Sequence, residues 1–301
     1  MKIKLQSVVC LCLAVFAGLF SCVSNPADTA SGTSVWEISK NGNTFYLGGS
    51  VHILREKDFP LPKEFDLAFR QSSILVLEAD LDSMMQPDFL QALITQMTLP
   101  KGVTLDQVLG PEAYSLLKEK CAEYKFPFEG ISIFKPSMII NILTMREIQK
   151  SGFVQQGVDM YYLEKAKKAK KSLDFLETVE TQIDVLISMG EGYEDDFIIY
   201  SLHDLESTSE AVISIVAEWR NGGAEITEES IREMKDEWPL IYKDLLLDRN
   251  NAWIPQLENY LTTAPVEFVI VGLAHMHGPD GLLKQLEQSG CTVKKVIGGR
   301  Q

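Results

Sequence analysis

An apolar run, then a glycine, then a histidine three residues further on: this arrangement occurs near each end of the chain. Phe45-Tyr46-Leu47 leads into Gly48-Gly49-Ser50-Val51-His52, and Val269-Ile270-Val271 leads into Gly272-Leu273-Ala274-His275. Each run reads as a buried strand, and each histidine falls just past its carboxyl end, where open α/β sheets place their ligands. If both strands belong to one sheet, two residues from opposite ends of a 301-residue chain arrive at one place. Glycine at those positions permits a tight turn and a close approach of the backbone.

The other patterns are compatible with such a sheet. Residues 35–38 and 44–47 alternate around Lys40-Asn41-Gly42-Asn43, a hairpin signal. Residues 73–77, 172–176 and 291–297 read as further strands, the first followed by Glu78 and the second by Glu177. Helical spacing is predicted over 64–70, 87–97, 111–124, 136–150, 157–171, 248–261 and 282–288, and three of these segments carry proline in the first turn. Residues 193–247 are mostly helical in pattern, broken at Asn221-Gly222-Gly223, and read as a helical middle insertion or lid. Strands and helices alternate at both ends, so the expected fold class is α/β, a central sheet flanked by helices.

The amino terminus is expected to stand apart from that fold. Lys2 and Lys4 precede an apolar segment, 8–20, too short to span a bilayer as a mature helix, and Leu19-Phe20-Ser21-Cys22 follows. The stretch resembles a bacterial lipoprotein signal, with Phe20 larger than the usual residue there. We expect residues 1–21 to be a signal peptide, Cys22 to be lipidated, 22–34 to be a polar linker and 35–301 to be a single domain. The protein is then exported and held at the cell envelope, on the periplasmic or outer-membrane face. Cys10 and Cys12 leave with the signal; Cys121 and Cys291 could pair in an exported protein, but so far apart they carry no disulfide framework and read rather as buried small hydrophobes. A net charge of −14 argues against a nucleic-acid partner, and the lysines at 165, 167, 168, 170 and 171 read as a solvated helix face.

Four strand ends supply His52, Glu78, Glu177 and His275. Two imidazoles and a carboxylate with an open position suit a hydrolytic Mn, Co, Zn or Fe ion, and a second carboxylate suits proton transfer. Spacing alone leaves open the plainer reading of hydrogen-bonded structural histidines and helix-capping glutamates. His277 begins the next helical pattern and reads as a cap rather than as a ligand. No phosphate loop, dinucleotide-binding glycine fingerprint, serine elbow or HExxH is present.

An ordered set of segments resembles the TraB/GumN family, the bacterial branch of a group that includes the plasmid pheromone-shutdown proteins and the Tiki metalloproteases. The set is Tyr46 to His52, Leu75 to Asp80, Lys135-Pro136, Gly157-Val158-Asp159, Leu176-Glu177-Thr178, Asp248-Arg249-Asn250-Asn251-Ala252-Trp253, Phe268 to His275 and Gly278-Pro279-Asp280-Gly281. The resemblance implies an α/β core like that of erythromycin-esterase and haem-binding ChaN-type proteins. It also implies a metal-dependent hydrolase site acting on an amide or peptide bond. His52, His275 and Glu78 would hold the metal, Glu177 and Glu78 would be catalytic, and Arg249 and Asn250 would orient substrate or a carboxylate. His277, and Ser137 where a bulky aromatic is common, depart from the family pattern. The rival expectation is a lipoprotein that binds peptide or haem in the same cleft without turnover, and a third is a metal-free hydrolase with His52 as base.

Overall fold

The computed structural model describes residues 32–154 and 156–298; the expected signal segment, most of the linker and Cys22 lie outside them. Among the described residues eight strands are formed: β1 (Val35–Lys40), β2 (Asn43–Ser50), β3 (Leu54–Arg55), β4 (Ile74–Leu77), β5 (Phe153–Val154), β6 (Ser172–Phe175), β7 (Glu267–Gly272) and β8 (Thr292–Lys295). Six of them make one mixed sheet in the order β6-β4-β7-β2-β1-β8, and β3 and β5 pair separately. The fold is thus α/β, as the alternation of patterns implies.

The chain divides into two compact units. One, Asp80–Ser151 with Val179–Val212, is built of helices such as Pro87–Met97, Pro111–Glu123 and Pro136–Lys150. Each of these three begins on proline, whose missing N–H is no loss in a first turn. Within this unit the Tyr124 hydroxyl donates to Glu147 (2.5 Å) and the Gly110 N–H donates to Asp195 (2.7 Å).

The other unit carries the sheet. β1 and β2 are antiparallel with Lys40 opposite Asn43, so the loop is the two residues Asn41 and Gly42, at φ 53° and 87°. Positive φ at both is what a type I′ hairpin turn demands, and Asn-Gly supplies it at low cost. β2, β7, β4 and β6 run parallel. Such strands must be covered on both faces. One face packs Phe45, Leu47, Val269 and Val271 against Trp253 and Leu257 of the helix Asp248–Tyr260 and against Leu282 and Leu286. The opposite face packs Phe268 against Phe65 and Tyr162, with ring centroids 6.1 and 5.6 Å apart. A side chain at Gly48 would collide with Phe268 and Phe65, so that glycine lets the aromatic layer close.

Glu267 opens the central strand β7 and is 2% exposed, with Oε2 lacking a hydrogen-bond partner among the described residues. Burial pushes its carboxyl up to about 7, and the nearby Asp174 charge adds to the rise. The native state therefore binds this proton more tightly than the unfolded chain, and stability falls as pH rises from about 4.5 through 7. Glu267→Gln should raise the melting temperature at pH 8 and leave it nearly unchanged at pH 4.5. One pKa unit is worth about 1.4 kcal/mol, so the gain at pH 8 is on the order of 1–3 kcal/mol. Equal shifts at both pH values in calorimetry would contradict this account.

Both buried cysteines, Cys121 and Cys291, are free thiols. No helix among the described residues is long and apolar enough to cross a membrane.

Candidate functional site

All four parallel strands end at the same edge of the sheet, because Ser50 lies beside Gly272 while Leu77 lies between Ile270 and Phe175. Just past those ends stand His52, Glu78, Glu177 and His275. The two Gly-x-x-His segments follow adjacent parallel strands, so the two histidines do come together. A Cβ built on Gly272 would lie 3.0 Å from His52 Nε2, 3.4 Å from Glu78 Oε1 and 3.5 Å from His275 Cδ2. Gly272 has φ −52° and ψ 139°, open to any residue, so the glycine is required by the space and not by a turn. Gly49 likewise makes room, here for Leu273 and Met276.

His52 is set from one side by the helix Val158–Ala169. The Val158 N–H donates to Val51 O (3.2 Å), and a side chain on Gly157 would overlap the backbone of His52. The second residue of that helix, Asp159, accepts from His52 Nδ1 (3.2 Å) and from Ser50 Oγ (2.6 Å). With Nδ1 bound to a carboxylate, Nε2 is the nitrogen presented toward Gly272.

His275 is set from the other side. It lies on a single helical turn, Leu273–Met276, and its Nδ1 donates to Asn250 Oδ1 (2.7 Å). Asn250 is fixed in turn, its Nδ2 donating to His275 O (3.2 Å) and Asp280 O (2.9 Å). Trp253 lies against the imidazole with centroids 4.5 Å apart. Arg249, Asn250 and Trp253 reach the site together because they share one face of the helix Asp248–Tyr260.

Arg249 is the hub. Its Nε donates to both Glu177 oxygens (3.2 and 3.0 Å), and its NH2 donates to Glu177 Oε1 and Glu78 Oε2 (both 2.7 Å). Its NH1 donates to Leu245 O (3.1 Å) and His275 Nε2 (2.9 Å). A guanidinium has five N–H donors, and all five are engaged. Leu245 belongs to the π-turn Lys243–Leu247, which ends directly before the helix that carries Arg249. Glu177 also accepts from Trp253 Nε1 (3.2 Å), and Glu78 Oε1 accepts from the Gly272 N–H (2.6 Å).

These contacts divide the charges. Burial pushes the Glu78 carboxyl up, but Arg249, the two imidazoles and the Gly272 N–H outweigh it and bring it down to about 2. Burial, joined by the Arg249 charge, pushes His275 down to about 3, so that imidazole is neutral at ordinary pH. Burial also pulls His52 down, yet Asp159 and Glu78 reverse this and its pKa is raised. Burial raises Glu177 despite Arg249. One histidine is thus held neutral and the other is favoured as a proton carrier.

The donor chemistry suits a divalent ion. Both imidazoles have Nδ1 fixed by an oxygen acceptor, the outer support that metal-binding histidines receive. His275 Nε2 and Glu78 Oε1 lie 3.9 Å apart, which two bonds of about 2 Å can span. As arranged here, no three His, Cys, Asp or Glu residues among those described form a ready-made ion site. At His275, Arg249 NH1 already occupies the Nε2 lone pair. The residues fit an ion in kind, and one approach is filled by the protein's own cation.

Asp159, Ser50 and Trp253 join the site without having been given a role from the sequence. Asp159 and Trp253 close two of the motifs that carried the family resemblance, and that was the signal available. His277 packs edge-on to Trp36 (centroids 5.6 Å), and burial pushes it down to about 4. Ser137 is buried at the start of its helix and donates to Ile187 O (2.9 Å).

A mixed sheet whose parallel strands each end on a residue of one buried histidine–carboxylate–arginine cluster defines an α/β protein with its polar site at the carboxyl edge. The chain belongs to the TraB/PrgY/gumN family, whose sequence pattern matches residues 34–295. It is 27% identical over 208 residues to the zebrafish (Danio rerio) protein named Metalloprotease TIKI1, covering 58% of this chain and 41% of that protein, so the match spans less than half of the relative. It is 24% identical over 256 residues to the uncharacterised protein YbaP of Escherichia coli K12, covering 83% of this chain and 90% of that one. No solved structure matches the chain significantly.

Proposed function

We propose that this chain is an exported, lipid-anchored hydrolase of amide or peptide bonds that works with a divalent metal ion. One observation carries the reading: His52 Nε2, Glu78 Oε1 and the His275 ring surround one small space over Gly272, each imidazole braced at Nδ1. The relatives named metalloproteases support the reaction class, and the sequence around Cys22 supports the anchor.

His52 Nε2, His275 Nε2 and Glu78 would hold the ion, whose Mn, Co, Zn or Fe identity the donor set leaves open. When bound, such an ion polarises a carbonyl and lowers the pKa of water. Asp159 keeps His52 in the tautomer that offers Nε2, and Asn250 does the same for His275. Glu177, with both oxygens on Arg249 and Trp253, serves as the carboxylate that steadies Arg249. The Trp253 ring shields one side of His275 from water.

The His52–Asp159 pair favours a second reading, in which His52 acts as a general base oriented by its carboxylate without any ion. Purification without chelators, metal analysis and mass spectrometry of a peptide library separate the two. The first reading expects stoichiometric metal and cleavage, both lost in the His52→Gln, His275→Gln double variant. Full metal occupancy in that variant contradicts it, and cleavage that survives chelation favours the second. Saturable peptide or haem binding without cleavage would instead mark a binding lipoprotein.

A further inference from the structure

His275 offers one lone pair to the site. Its Nδ1 is committed to Asn250 Oδ1, and Asn250 is pinned by two backbone carbonyls, so the ring has no second nitrogen to turn inward. Arg249 NH1 sits on the remaining nitrogen at 2.9 Å. An ion and this guanidinium therefore compete for one pair of electrons.

We propose that Arg249 is the place-holding cation of this site: it occupies His275 Nε2, and that nitrogen would hold an ion only once NH1 withdraws. The inference rests on the metal-dependent reading above and adds to it a residue that opposes loading. The contacts of Arg249 fall into two sets, the carboxylates on Nε and NH2, with Glu78 also taking NH2 at 2.7 Å, and the two acceptors on NH1. Nε and NH2 form a two-pronged contact with Glu177, the strong planar pairing of guanidinium with carboxylate. NH1 points to the other corner, toward His275 Nε2 and Leu245 O. A small rotation about the Glu177 anchor frees His275 while leaving NH1 the Leu245 carbonyl as a partner. That carbonyl lies in the π-turn, where backbone bonding runs from Asp248 N–H to Lys243 O instead of the α-helical pattern.

Charge balance is consistent with an arginine that withdraws but stays. With His52 deprotonated, as a ligand must be, Glu78, Glu177 and Asp159 set against Arg249 leave two formal negative charges, the complement of one divalent ion. Arg249 neutralises part of the cluster, which spares two buried carboxylates from facing each other unpaired.

The test is Zn2+ affinity of the full chain by titration calorimetry, comparing wild type with Arg249→Lys. Lysine keeps the charge near the carboxylates but lacks the fork that spans Glu177 and His275. A place-holder predicts at least about tenfold tighter zinc binding by the variant. A purely supporting arginine predicts the reverse, since loss of an outer-shell partner weakens metal binding by about 10–100-fold. Tighter binding by the variant, or binding by the variant alone, upholds the inference. Equal or weaker binding overturns it and leaves the hydrolase reading standing whenever wild type binds zinc. No binding by either protein removes that reading and this one together. Should the variant fail to fold, nitrogen NMR of wild type decides. Zinc should shift His275 Nε2 and speed solvent exchange at Arg249 NH1 while Nε–H stays protected, and unchanged exchange at NH1 on saturation would overturn the proposal.

Discussion

Alanine at position 272 should silence the site and leave the fold standing. The new methyl would lie 3.0 Å from His52 Nε2 and 3.4 Å from Glu78 Oε1, in the space these groups and His275 surround. The backbone there suits alanine, and the nearest neighbours are side-chain ends that can give by a few tenths of an ångström. The melting temperature of Gly272→Ala should therefore stay close to that of wild type. Hydrolysis and metal uptake should fall by at least about 100-fold, the scale on which displacements near 1 Å act at a reacting centre. A variant that keeps wild-type turnover would place the chemistry elsewhere. One that unfolds would show that the space is structural.

The largest loss of stability is expected from Arg249→Met. Methionine fills volume but leaves Glu78 and Glu177 without the cation that five donors now provide. Removing one partner of a buried ion pair costs about 3–5 kcal/mol. The effect should depend on pH in a definite direction. In wild type Glu78 is held at about 2, below its ordinary 4.5, so its contribution is present above pH 4.5 and lost as pH falls toward 2. In the variant burial is opposed only by the imidazoles and the Gly272 N–H at Glu78 and by Trp253 at Glu177, and both carboxyls protonate more readily. The stability gap between variant and wild type should be widest at neutral pH and narrow below about pH 4.5. A gap of the same size at pH 4 and pH 7 in denaturant titrations would show that lost packing, not charge, carries the effect.

Much of this was legible before any coordinates. Asn41-Gly42 announced a two-residue hairpin because few residue pairs accept positive φ twice. Prolines 87, 111 and 136 marked helix starts because a first turn loses no hydrogen bond to them. The four strand ends carrying His52, Glu78, Glu177 and His275 were readable because parallel strands share one carboxyl edge. What escaped notice depends on partners distant in sequence. Nothing local to Asp159 says that it grips His52, nor to Trp253 that it backs His275. Arg249 and Asn250 stood out by motif, yet their full engagement inside the protein follows from five separate segments meeting. The single turn that carries His275 and the π-turn before Arg249 are decided by tertiary bonds and leave no periodicity to read. The helix over residues 157–171 was seen, but its grip on the His52 backbone through Gly157 was not.

The place of β7 also bears on how the protein comes into being. This strand lies inside the sheet, between β4 and β2, and it is translated long after β1, β2, β4 and β6. Until Glu267 to Gly272 arrive, the β1–β2 hairpin and the β4–β6 pair have open edges facing the same gap. Such edges invite association with other chains, and pairings this remote in sequence form slowly. A chain halted before residue 267 would hold both halves of a sheet and no keystone, with His52 and Glu78 made long before the histidine that completes their company.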